Sequence, residues 1–263
     1  MARQWSECEN KFAALDKTTN LTVWSGGKTQ PTEGDGSTTN PYKVYTPEQL
    51  RWCLENKKSC DLMNDIDLGG KNHPWTPITV TEAMSINGNH HTIYNLYVSG
   101  GTNQGFFGSV NNANFYMHDL TFRYSEVHAT GIYSGTVIAW LGKGKLENVN
   151  VEDSLVKGAN HTGGLLTGWS TGNIVFDGTN VNPTAGMQIN HCHTERVYTY
   201  GTSCVANFIG PIWGGYVTNS YAVDGVSIST AGHSGGFVSC PGYTYVAVSY
   251  THLMLKILYS KMV

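Results

Sequence analysis

The chain has 263 residues, of which 40% are hydrophobic and only 13% charged, with 31 glycines and a net charge of −3. Charge this sparse and slightly acidic, with no basic face, excludes nucleic-acid binding through phosphate neutralisation. No apolar run reaches the ~18 residues of a membrane span, and aromatic and β-branched residues run throughout, unlike a disordered chain. Abundant Gly, Asn, Thr and Tyr point to a β-rich protein with many turns.

The sequence divides into four stretches: 1–45, a helix followed by a Gly/Thr-rich loop; 46–85, an entry cap; 86–249, repeats; and 250–263, an atypical tail. The first residues, Met1 to Glu7, lack the apolar centre of a leader. That fits an intracellular or viral product, a fragment of a longer secreted protein, or a chain whose leader was removed. Ser6-Glu7-Cys8-Glu9 has capping-box spacing and Phe12, Ala13 and Leu15 follow with helical period, predicting a short helix. Residues 25–42 read as loop. Thr46 as N-cap, Pro47 at the first helical position and Gln49 completing the box predict a second helix, with Leu50, Cys53 and Leu54 as its buried stripe. Strand pattern follows across Asp61–Leu68 and ends at Gly69-Gly70.

From about residue 86 the chain repeats. One unit is a small-residue turn and an apolar strand: Gly105–Val110, Gly135–Trp140, Gly163–Trp169, Gly235–Cys240, and a degenerate copy at Ser203–Ile209. A second unit appears as Met117–Phe122, Leu146–Val151, Ile189–His193 and Val217–Tyr221. Asp119, Asn148, His191 and Asn219 mark it at steps of 29, 43 and 28 residues. The long step contains the polar stretch 171–186, read as a loop inserted into one coil. A period near 29 made of short strands and tight turns predicts an all-β, right-handed parallel β-solenoid with the N-terminal helices as its cap. Each coil buries its apolar face only by stacking on its neighbours.

Ile86-Asn87-Gly88-Asn89-His90-His91-Thr92-Ile93-Tyr94-Asn95-Leu96-Tyr97-Val98, followed by Gly105-Phe106-Phe107-Gly108, resembles the GLUG-repeat bacterial surface proteins. Tyr45–Leu50, Asp65–Leu68 and Trp75–Ile78 resemble their entry segment, so the likeness spans roughly residues 43–240. The sequence departs from that pattern at His90-His91, where the family more often has Gly-His. The resemblance implies a right-handed β-solenoid, mostly extracellular or cell-surface, found in bacteria and some phages and mostly without a known catalytic role. Such repeats also accompany some IgA-cleaving proteases, outside the protease domain. It therefore implies an adhesion module that binds a glycan or a host surface protein. Two alternatives stand beside it: a phage tail or receptor-binding protein, which would be a trimer on a virion, and a β-helix lyase or glycoside hydrolase. No cofactor is expected.

Three tryptophans are the candidate ligand-binding residues. Trp140 and Trp169 each follow a glycine by five residues and are 29 apart, so they are expected to lie one above the other; Trp213 follows 44 later. Exposed, such a column would offer flat amphipathic faces to sugar rings or an apolar partner; turned inward, it is an ordinary aromatic ladder. His191-Cys192-His193 places two imidazoles on one strand face, too few for a metal site unless His161 or Glu195 joins them, and no metal is expected. The acids Asp119, Glu126, Glu147, Glu152, Asp153, Asp177 and Glu195 are scattered. A hydrolase needs two carboxylates at a fixed separation, and Asn148, not an acid, stands at the position equivalent to Asp119. No catalytic residue is assigned. Among the six cysteines, Cys53 with Cys60 and Cys192 with Cys204 are the candidate disulfides, with buried thiols as the alternative. The apolar, basic tail 250–263 is either a cap over the last coil or a truncated end.

Overall fold

The computed structural model describes residues 2–170, 175–176, 181–182, 186–242 and 245–247. The strands stack in parallel as a β-solenoid of about six turns, with two short helices at the N-terminal side. Its inward face is a set of apolar columns, one residue per coil. Cys60, Ile86, Met117, Leu146, Ile189 and Val217 follow one another in register. Ile78, Phe107, Ile138, Leu166 and Ile209 form a second column. All belong to one continuous buried core, and full burial of each large side chain contributes about 1.5–3 kcal/mol.

The two repeat units are two parts of each coil. The residues that mark the second unit form one corner. Asp119, Asn148, His191 and Asn219 all have φ between 50° and 52°. The strand residues just before them pair in the same order, His118 with Glu147, Glu147 with Asn190, and Asn190 with Thr218. A left-handed corner is costly for most side chains, and short polar ones tolerate it best. The next corner repeats the device with Asn95, Tyr124, Asp153, Arg196 and Asp224. Within the long step, Val175–Phe176 pairs antiparallel with Val181–Asn182; the rest of the stretch 171–186 up to residue 185 lies outside the described residues. The tail 250–263 does too.

The ladder begins upstream of residue 86: Tyr42–Val44 already pairs in parallel with Cys60–Leu62. Helix α2, Pro47–Glu55, forms as its cap predicts. Thr46 Oγ1 accepts from the Gln49 amide at 3.3 Å, and Gln49 Oε1 accepts from the Tyr45 amide at 2.8 Å. Its Leu50, Cys53 and Leu54 join the core of the first coils, so α2 covers the N-terminal end. Helix α1, Ala2–Ala13, starts before the expected cap, and Ser6 lies inside it. It is not an end cap. Its buried Trp5, Cys8 and Phe12 lie against Leu155 and Ile228, with Tyr198, Tyr200 and Val226 beside them. These residues face outward from strands in three successive coils, and α1 covers the apolar part of that flank.

The cysteines pair differently from either expectation. Cys204 and Cys240 form a disulfide, while Cys53, Cys60 and Cys192 are buried free thiols, as is Cys8. Cys192 points into the core, where burial pushes its thiol up to about 12. Cys204 sits at a corner, turned away from it.

Candidate functional site

The tryptophans come together in part. Trp169 and Trp213 are register partners on adjacent coils, with ring centroids 5.2 Å apart and planes within 8°. They are 45% and 38% exposed, among the most exposed large apolar side chains described. Trp140 is not in this stack, contrary to expectation. It pairs with Ser109 on the coil before, and a β-bulge between Ile138 and Leu141 sets Leu141 opposite Gly168. The register then puts Gly142, not Trp140, beside Trp169. The tip of the Trp140 indole bends over Gly142, where an added Cβ would lie 2.7 Å from Cη2. On the far side the Trp213 ring covers Gly242, where a Cβ would lie 2.0 Å from Cε3. Glycines thus make room for the indoles at both ends of an apolar patch whose middle is the stacked pair.

Around the corner marked by Gly144 and Gly214, the same strands carry a polar face. Tyr116, His118, Asp119, Glu147, Asn148 and His191 line an open hollow of about 550 Å³. The Tyr116 and His118 rings stack at 4.4 Å. Tyr116 Oη donates to Glu147 Oε2 at 2.7 Å, Lys145 Nζ lies 2.6 Å from the same oxygen, and Asn148 Nδ2 donates to Asp119 Oδ1 at 2.7 Å. Burial and the bond to Glu147 push the Tyr116 phenol up. Bonds from Lys145 and Tyr116 hold the Glu147 carboxyl below its ordinary range despite some burial. Burial raises Asp119, but Asn148 and His118 outweigh it and leave this carboxyl low as well. Both acids of the hollow are therefore held as carboxylates by their partners. A glycosidase acid is held the opposite way, with its proton retained.

The remaining acids sit elsewhere. Glu126 is bound by His128 Nε2 at 2.6 Å and Lys71 Nζ at 3.0 Å. Asp153, its side chain 5% exposed, is held by Arg123 at 2.9 Å and by Arg196. Asp177 lies outside the described residues. The His191-Cys192-His193 reading is overturned by the corner: His191 occupies the left-handed position, Cys192 turns into the core, and only His193 faces out from the following strand. His161 packs against Tyr133 on another side. Cys204 and Cys240, with His233 nearby, have spent their thiols on the disulfide.

The fold and these sites define a parallel β-solenoid with an exposed aromatic patch and an adjoining polar hollow. No family model matches the chain, and no curated protein matches it. Among solved structures, one from Bacteroides ovatus, described as a "putative immunoglobulin A1 protease", superposes with a TM-score of 0.63 at 20% identity. The match covers 79% of this chain and 64% of that one, so this chain spans less than two thirds of that protein's length. At that identity the likeness is one of fold.

Proposed function

We propose that this chain is a binding module of the extracellular or cell-surface adhesin type, related to the GLUG-repeat proteins, which holds a glycan on its tryptophan patch and performs no chemistry. The observation that carries the reading is the exposed, parallel Trp169–Trp213 pair. An exposed aromatic patch beside a polar hollow suits the mixed surface of a sugar, whose C–H groups meet the indoles and whose hydroxyls reach polar neighbours. Partly exposed large aromatics are also the residues that dominate protein interfaces, so a host surface protein is the competing ligand. The carboxylates of the neighbouring hollow are held ionised and cross-bonded, which favours recognition over proton transfer. The Cys204–Cys240 disulfide accords with an oxidising compartment.

A glycan array probed with wild type, Trp169→Ala/Trp213→Ala and Trp140→Ala tests the proposal, with folding followed by circular dichroism. Specific binding that disappears in the folded double variant and survives in Trp140→Ala supports it. Binding that survives the double change, or no glycan binding at all, sinks the platform. A trimer by light scattering would direct the search to phage receptor-binding proteins.

A further inference from the structure

Outside the tryptophan patch, three potential metal ligands converge where the fourth and fifth complete coils meet. Glu152 ends the strand Ile138–Glu152; His193 and Glu195 begin and end the next coil's strand His193–Glu195. Asn150 pairs with His193 and Glu152 with Glu195 in strict parallel register. Residues two apart on a strand share a face, so His193 and Glu195 both face out above Glu152. One ligand atom from each lies within 4.8 Å of the other two. All three are half-buried.

The imidazole is fixed in place. Its ring stacks on Tyr221 of the following coil, centroids 4.8 Å apart and planes within 2°, and the His193 amide donates to Asn150 Oδ1 at 3.1 Å. Its Nε2 points at Glu152 Oε1 from 3.7 Å. That gap is too long for a hydrogen bond and close to the separation of two ligands bound about 2.0–2.2 Å from one zinc ion. Glu195 is engaged by Arg196 Nη1, but Arg196 is also held by both oxygens of Asp153. A cation entering here displaces one arm of that guanidinium and leaves its main anchor intact. Three acids, Glu152, Asp153 and Glu195, stand against two bases, Arg123 and Arg196, so the cluster keeps one excess negative charge.

We infer that Glu152, His193 and Glu195 form a site for a divalent first-row transition metal of the zinc class, clamping these two coils together. One nitrogen and two carboxylates select such an ion over calcium or magnesium, which take oxygen ligands. Three protein ligands leave a fourth position to water or to a group on a partner. The site is independent of the tryptophan patch.

The test titrates the tag-free full chain with Zn²⁺ by calorimetry and with Co²⁺ by its visible ligand-field absorption, in wild type, His193→Ala, Glu152→Gln and His91→Ala. His91, 3.0 Å from Asp65, is the control for weak binding at another histidine–acid pair. The expected result is one equivalent bound by wild type and His91→Ala, with affinity lowered at least about tenfold in both His193→Ala and Glu152→Gln. No saturable binding in wild type, or binding unchanged in either ligand variant, overturns the inference. Glu152→Gln keeps the shape of the side chain and decides the matter if His193→Ala does not fold.

Discussion

Reducing the Cys204–Cys240 disulfide is expected to loosen the last complete coil and leave the rest of the solenoid unchanged. The bond closes a loop with a sequence separation of 36. Loop-closure entropy for that length amounts to about 3.8 kcal/mol, or a ~600-fold change in the population of the opened coil. In a solenoid each coil answers mainly to its neighbours, so the effect stays local. Native-state hydrogen exchange reads it. The Val205 amide, donating to His233 O at 3.0 Å, and the Ile209 amide, donating to Phe237 O at 3.0 Å, lie between the affected coils. Their protection should fall by two to three orders of magnitude on reduction, by the same estimate. The Phe107 amide, donating to Val137 O at 2.8 Å, should keep its protection. Reduction changes no side chain's backbone preference, so the left-handed φ of Cys204 does not confuse the comparison. Equal loss of protection at Phe107 and at Val205 would refute the local picture, and protection unchanged at Val205 would refute the staple.

Three further outcomes are expected. Gly164→Ala should destabilise by about 1–3 kcal/mol or more, because its Cβ would lie 1.8 Å from Asn207 O of the next coil. Gly101→Ala, with nothing within 4 Å of the added atom, should change the urea midpoint by less than about 0.5 kcal/mol equivalent. In Glu126, burial raises the carboxyl but His128 and Lys71 draw it below the ordinary value of 4.5. A carboxyl lowered on folding stabilises the native state above its unfolded value and loses that contribution as pH falls through the folded value. Thermal melts from pH 6 down to 3 should therefore show a shallower loss below about 4.5 in Glu126→Gln than in wild type; parallel curves would exclude a role for this cluster.

The coil repeat was legible because a corner restricts which residues it accepts. Asp119, Asn148, His191 and Asn219 recur since the chain turns left-handed there, and that demand survives in the letters when strand composition drifts. The degenerate copy ending in Phe208-Ile209 falls in register too: Ala206 stands beside Gly163 and Ile209 beside Leu166. The tryptophan column was legible only in part. Counting from Gly164 aligns Trp169 with Trp140, but Gly163 is the counterpart of Gly135, and the bulge in the intervening strand shifts the register by one more residue. Bulges leave no mark in a residue count. The disulfide was missed because Cys204 and Cys240 are 36 apart in sequence and adjacent only after a coil has closed. Glu152 joined His193 and Glu195 by the same route, across the 43-residue step. Helix α1 was visible as a helix, yet nothing in its sequence names the flank it covers.

That helix alters how the molecule comes apart. A stack of coils held only by nearest neighbours can fray from its far end while the near end stays whole. Here residues 2–13 reach past the early coils to Leu155, Tyr198 and Ile228, and Lys157 Nζ lies 3.4 Å from Glu9 Oε1 across 148 residues of sequence. Helix α1 thus finds its seat only after the sixth strand layer exists, a late and long-range closure that slows folding. Once made, it ties the beginning of the chain to its later turns, so that loss of either loosens the other, and a linear rack behaves as a cooperative unit.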